Sequence, residues 1–514
     1  MANTEKIPYL NVMLPGASKF GNPSSPYASV PADDGTSGRR YTTRQVQWSG
    51  LNRGVYIDTG TLTDVSGMTM KALPYLESDN VFADKYSYEG KRIINLTGMG
   101  DALIVVYNDG SSVKMDVFSP ADSPTPTATG VIKSNAAGDY TYRSIVQFNV
   151  YKTPTDPIAG EFDRKVLIFP DKLSTNYITE VSGNIEFASL GDAYPNIKLA
   201  AVQDSRLFGV DDARIYASGA NDYANWDLDT ATDYSSAHAW CSPTQADSRA
   251  DGSFTAITSY GGHIVAFKDD FTHELYNNKN PFYLQELFGF GAIDQRTVHE
   301  VSGRLFFVSS DGVISYGGGS PQVIDSALCI DSYENAVCGA YQGTYYLSVQ
   351  DSDGKVTTYT YNTENGQWSI LDTGTVLPAC YCSVGGKFYR AINGAGDGKI
   401  YVLDNETYGD WFFDTDIKTG GTLDVKSLTR LLVLASMAPN SSFNISLLGE
   451  DGAEERLYSY ENGTVGDAMR CVRLAANNNM RHCHRLRIYG RGLVRVHNME
   501  LVYRTGGKLY GDTT

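Results

Sequence analysis

The chain has 514 residues, 42% of them hydrophobic and 12% aromatic, with 51 Gly, 35 Tyr and a net charge of −17. That apolar content excludes global disorder, and no run of about 18 apolar residues is present to cross a membrane as a helix. A broadly acidic chain is also a poor non-specific DNA binder, because duplex affinity rests on Lys and Arg displacing counterions.

Residues 1–64 are polar and punctuated by Gly and Pro, and read as an extended N-terminal arm with lead-in strands. The start, MANTEKIPYLNVMLPGASKF, has no basic stretch followed by an apolar one, so a secretory leader is not expected. Seven scattered cysteines fit free thiols of a reducing compartment better than a disulfide framework.

From about residue 65 one shape repeats. DALIVVYNDGSSVKMDVF at 101–118 is a strand, a turn at Asp109 and a second strand. The shape returns with turns at Asp171, Asp211-Asp212, Asp269-Asp270, Asp311-Gly312, Asp353-Gly354 and Asp397-Gly398. Asp and Gly between apolar runs mark hairpins, because Gly accepts a positive φ and Asp bonds its own turn. The last three intervals between first aspartates are 42, 42 and 44 residues, and the earlier ones are 62, 40 and 58. About 42 residues is the length of a four-stranded blade. The pattern predicts an all-β fold: a β-propeller of six or seven blades over 65–419, interrupted by insertions at 119–142 and 217–252. The first insertion, rich in Pro, Thr and Ser, is expected as an exposed loop between blades. Asp311-Gly312 is expected to be the turn itself, with Gly312 at positive φ. After residue 420, LTRLLVLASM and CHRLRIYGRGLVRVHNMEL bring longer alternating strands, which read as a separate antiparallel β-sandwich over 420–514 with a tail at 506–514.

The chemistry-bearing motifs reduce to structure. Gly289 and Gly291 are half of a dinucleotide fingerprint, and DSDG at 351–354 opens like a calcium loop without the distal acid. Cys380 and Cys382 share one face of a strand and read as packing. His482-Cys483-His484 has no second ligand pair nearby. The repeated box of sialidase propellers is absent, since SSDGVISYG at 309–317 lacks its Trp. The chain reads as a non-enzyme, with no catalytic residue, no cofactor and no metal.

Several passages together resemble the phage tail nozzle family, also called tail tubular protein B or packaged-DNA stabilisation protein. They are GLNRGVYIDTGTLTDVSGMTMKALPYLESDN at 50–80, RLFGVDDARIYASGANDYANWD at 206–227, FGFGAIDQRTVHEVSGRLFFVSSDGVISYGGGSPQVID at 288–325 and GRGLVRVHNMEL near the C-terminus. Tyr223 departs from the second passage's pattern, where a proline or similar residue is common. The resemblance implies a structural protein of the virion tail, assembled in the host cytoplasm. Its copies would form a ring, usually hexameric, below the portal and adaptor, and DNA would pass through the channel without specific binding. It also implies contacts with portal, adaptor or other tail proteins, for which Trp226, Trp240, Tyr223 and Trp48 are the candidate interface residues. The competing reading is a glycan- or ligand-binding propeller, either a tail adhesion component or a soluble carbohydrate-active protein.

Overall fold

The computed structural model describes most of residues 80–505, apart chiefly from 134–143, 152–161, 170–175, 190–193, 229–237, 243–251, 415–425, 449–452 and 476–484. Of residues 1–79 it describes the backbone of seven short strands.

Seven four-stranded antiparallel sheets follow one another along the chain. Blade 1 comprises Arg92–Met99, Ala102–Asn108, Val113–Phe118 and Ala128–Lys133. Blade 2 comprises Ser144–Tyr151, Phe162–Phe169, Asn176–Val181 and Asn184–Ser189. Blade 3 comprises Leu199–Gln203, Arg206–Val210, Ile215–Ala217 and Trp240–Cys241. Blade 4 comprises Ala256–Tyr260, His263–Phe267, Thr272–Tyr276 and Tyr283–Phe288. Blade 5 comprises His299–Val301, Arg304–Ser309, Gly312–Tyr316 and Gln322–Val323. Blade 6 comprises Ala336–Tyr341, Thr344–Gln350, Val356–Asn362 and Gln367–Gly374. Blade 7 takes three strands in order, Pro378–Val384, Lys387–Asn393 and Gly398–Tyr408, and its fourth, Asn80–Tyr88, from before blade 1. First strands touch between blades 2 and 3, 3 and 4, 5 and 6, 6 and 7, and 7 and 1, and shared apolar clusters join blades 1 and 2 and blades 4 and 5, so the ring is closed.

The second strands show why the sheets stack this way. In Arg304–Ser309 every residue from Leu305 onward is buried. Alternate side chains leave opposite faces of a strand. Leu305 and Phe307 enter a cluster with Phe267 of blade 4, while Phe306 and Val308 enter one with Tyr345 of blade 6. Both faces are apolar because both face another blade, so the run is continuous where a half-exposed strand would alternate. Each of the seven gaps between blades holds its own buried cluster.

All seven repeated hairpins join the second strand of a blade to its third. Asp211 Oδ1 accepts from the amides of Ala213 and Arg214, both at 2.7 Å, and Asp212 pairs with Lys198 at 2.5 Å. Asp351 likewise accepts from the amides of Asp353 at 3.0 Å and Lys355 at 2.8 Å. Asp171 lies outside the described residues. One turn is shifted by a residue from expectation: Ser309 pairs with Gly312, so the loop is Ser310-Asp311 and Gly312 opens the third strand, at φ 139°. The expected loop at 119–142 is also corrected. Residues 128–133 are the outer strand of blade 1, and 119–127 is the turn into it, with Ala121 buried against blade 7.

The C-terminal part has two sheets. One runs Asp410–Asp414, Arg485–Arg491, Ser442–Leu448, Glu454–Glu461. The other runs Val55–Ile57, Leu76–Ser78, Val494–Thr505, Lys426–Met437, Ala468–Ala475, with Asn3–Lys6 also paired to Val494–Thr505. Trp411, Phe413, Leu431, Val433, Phe443, Ile445, Leu486 and Ile488 form the core between them. This β-sandwich therefore starts before residue 420, at Asp410, and it draws strands from the N-terminal segment that reads as an arm.

Candidate functional site

In an antiparallel four-stranded sheet, the turn after the second strand and the exit of the fourth lie at the same end. All seven aspartate hairpins therefore collect on one face of the propeller. The chain crosses to the sandwich at 78–80 and 408–410, both at the opposite end of blade 7. Asp212, Asp269, Asp270, Asp311, Asp353 and Asp397 are exposed on the turn face. Residues 80–409 hold 22 Lys and Arg against 40 Asp and Glu, while residues 410–514 hold 13 against 12. Essentially all of the net negative charge thus belongs to the propeller.

The hub is bridged near that face by the link from blade 4 to blade 5. Asp294 caps a single 3-10 turn, Gln295–Thr297, by accepting from the Arg296 amide at 2.8 Å. Gln295 closes a two-way amide pair with Ile257 of blade 4, at 2.8 and 3.0 Å. Tyr345 of blade 6 donates to Thr297 O at 2.8 Å, and His299 Nε2 lies 3.0 Å from Cys338 O of the same blade. Arg296 pairs with Asp294 at 3.0 Å and reaches the carbonyl of Ala379 in blade 7 at 3.5 Å. One turn so ties blades 4, 6 and 7 to the entry of blade 5. Burial pulls the Arg296 pKa down, but the adjacent Asp294 carboxylate more than offsets it and the guanidinium stays charged. Burial lowers the His299 pKa, so the ring is held neutral between two carbonyls. The run AIDQRTV marks this turn only by an Asp ahead of a short polar stretch; its contacts are all tertiary.

The aromatic candidates face inward. Tyr223 and Trp226 are half-buried against the cluster between blades 2 and 3. Trp226 meets Tyr194 edge-on at 5.2 Å, Tyr194 donates to the Tyr223 carbonyl, and Tyr223 meets Phe148 at 5.6 Å. Trp240 packs on Phe282 at 5.4 Å between blades 3 and 4. These three side chains pack on their own blades and keep part of their surface exposed. Trp48 lies outside the described residues.

Among the described residues no group of three His, Cys, Asp or Glu is placed to hold a metal. Cys380 and Cys382 join one cluster, and burial pushes the Cys380 thiol up to about 12, away from the thiolate that metals and electrophiles require. His482-Cys483-His484 lies outside the described residues. The turn at 351–354 spends Asp351 on its own backbone, as above. No helix among the described residues is long and apolar enough to cross a membrane.

No family model matches the chain, and no curated protein matches it. Among solved structures it is similar to the WD40 domain of Neurospora crassa Pan2, with 7% identity, 63% of this chain and 96% of that chain covered, and a TM-score of 0.39. The WD40 repeats of RRP9 match with 8% identity over 63% of this chain and 99% of that one, again at 0.39. The WD40 domain of SCAP from fission yeast matches with 9% identity over 63% and 98%, at 0.35.

Proposed function

We propose that this chain is a structural component of a phage tail, a nozzle protein whose copies close into a ring below the portal and adaptor and surround the exit path of DNA. The reading starts from the passages at 50–80, 206–227 and 288–325 and their resemblance to that family. The observation that carries it further is the charge division: 40 acidic against 22 basic residues on the propeller, near balance on the sandwich. An acidic wall repels the phosphate backbone and offers no counterions to release, so DNA slides past without sticking.

The test is electron microscopy of the purified protein alone and mixed with its portal-adaptor complex. The expected result is monomers or mixed oligomers alone and closed rings in the mixture, with residues 1–50 protected from protease only there. Free monomers in both samples, with that segment cleaved in both, would overturn the reading and favour a ligand-binding propeller in solution.

A further inference from the structure

The sheet Asp410–Asp414, Arg485–Arg491, Ser442–Leu448, Glu454–Glu461 buries one face against the sandwich core. Its other face forms an open groove of about 520 Å³. That volume is within the range of small-molecule and oligomer sites.

Strand register arranges the groove in rows. Phe412 pairs directly with Tyr489, and Tyr489 with Asn444 on its other side. Paired residues stand about 5 Å apart on one face, so the two half-buried aromatic residues lie side by side on the groove floor. On one flank Asp410 pairs with Arg491, and on the other Asp414 pairs with Arg487. Asp414 is 3% exposed and grips Arg487 at Nε and Nη2, at 2.7 and 2.8 Å, which holds the guanidinium over the Phe412 ring, 5.2 Å from its centroid. Asn444 is fixed too, since its Oδ1 accepts from Ser459 at 2.7 Å. Gly490 makes the close strand approach possible, because a Cβ there would lie 1.9 Å from the Ser442 carbonyl.

We infer that this groove binds a neutral saccharide chain. Tyr489 supplies a flat π-face whose negative charge attracts the C–H edges of a sugar ring. The flanks supply both kinds of polar partner that hydroxyls need, carboxylate acceptors at Asp410 and Glu454 and guanidinium donors at Arg487 and Arg491. Asp414 holds both Arg487 and Arg485, Glu454 lies 3.6 Å from Arg487, and Asp410 stands beside Arg491 in register, so three acids meet three arginines and the groove has no surplus positive charge to select an anion. The inference does not rest on the virion reading, because it concerns one sheet face of one chain.

Calorimetric titration of the full chain with maltohexaose, cellohexaose and chitohexaose tests it, with an oligogalacturonate of equal length as the anionic comparison. The expected result is binding of at least one neutral hexasaccharide, at a Kd on the order of 1 mM or tighter. Tyr489→Ala should weaken it at least tenfold while Tyr489→Phe retains it. Tyr283→Ala, an exposed aromatic on blade 4, should leave it unchanged. Far-UV circular dichroism checks that each variant is folded, and Asp410→Asn, at an exposed rim position, gives a second reading if Tyr489→Ala does not fold. No binding by any neutral sugar, tighter binding of the oligogalacturonate, or binding indifferent to both Tyr489→Ala and Asp410→Asn overturns the inference.

Discussion

Removing the Asp116 carboxylate should open the propeller at one seam. Asp116, on the third strand of blade 1, is 6% exposed and accepts three hydroxyls. Thr129 donates to Oδ1 at 2.7 Å, Tyr107 to Oδ1 at 3.3 Å and Tyr88 to Oδ2 at 3.1 Å. Tyr88 belongs to Asn80–Tyr88, the strand that completes blade 7, so the carboxylate ties the closing strand to blade 1. The Thr129 bond has ordinary length, and the two tyrosine bonds are long for O–H···O. Counting the first near 1.5 kcal/mol and the others near half that, Asp116→Ala should cost about 3 kcal/mol. Asp116→Asn keeps an oxygen at Oδ1 for two donors and turns an amide toward Tyr88, so about 1 kcal/mol is expected. The assay is native-state hydrogen exchange of the Asn80–Tyr88 amides, in which about 3 kcal/mol of local destabilisation reads as roughly a hundredfold faster exchange. A double cycle with Tyr88→Phe should show coupling of at least about 0.5 kcal/mol. Unchanged exchange in Asp116→Ala, or full additivity with Tyr88→Phe, would refute the latch.

Three further outcomes follow from the same coordinates. Burial, reinforced by Asp122, pushes Tyr86 up to about 12, and burial beside Asp116 raises Tyr88 and Tyr107 further. These groups stay neutral when folded but ionise near pH 10 when unfolded. Stability is therefore complete below pH 10 and falls from there through pH 12, and a urea midpoint that is flat across that interval would contradict it. Gly312→Val should cost about 2–3 kcal/mol, because φ is 139° and the new Cβ would lie 2.6 Å from an Asp325 carboxylate oxygen. Gly312→Ala should be nearly as costly, since the collision is at Cβ, and a fully stable Ala variant would show that the third strand yields. A fragment of 410–514 should lack stable tertiary structure because Leu76–Ser78 and Asn3–Lys6 pair with its Val494–Thr505 strand; a cooperative thermal transition in that fragment would show those pairings to be dispensable.

The repeat was legible because an aspartate sits at the same turn of each blade, and at Asp109, Asp211 and Asp351 it bonds the backbone of its own turn. A second mark went unread. The tight turns Gly261-Gly262, Ser302-Gly303, Gln342-Gly343 and Gly385-Gly386 join first to second strands, and both residues of each have positive φ. They recur at steps of 41, 40 and 43 residues through blades 4 to 7 and would have firmed the length of the repeat. The closing strand left no local sign. Asn393 bonds both the amide and the carbonyl of Ile93, at 2.8 Å each, across 300 residues of sequence. Nothing in NVFADKYSY says which sheet it completes. The inward packing of Trp226 was hidden for a different reason: a tryptophan in a polar loop reads the same whether it faces a partner or, as here, the ring of Tyr194.

The placement of that seam bears on how the two parts of the molecule act together. Both chain crossings to the sandwich leave from blade 7, through the strands Asn80–Tyr88 and Gly398–Tyr408, which pair with each other. Along the chain, force on the sandwich therefore enters the ring through a single sheet, which meets blade 1 across one of its gaps. This gap has polar links besides its apolar cluster. Asn393 holds Ile93, Tyr86 donates to the carbonyls of Ala121 and Ser123 at 2.8 and 2.7 Å, Gly90 donates to Asp397 at 2.7 Å, and Lys387 pairs with Asp122 at 3.2 Å. Apolar contacts resist separation but allow sliding, whereas hydrogen bonds fix register, so a seam that carries load needs both. From the hub, Arg296 at the entry of blade 5 reaches the Ala379 carbonyl of the same sheet at 3.5 Å. Blade 7 is thus braced from blade 1 and from the hub, as expected for a propeller that serves as a rigid mount for the sandwich rather than a ring whose blades open independently.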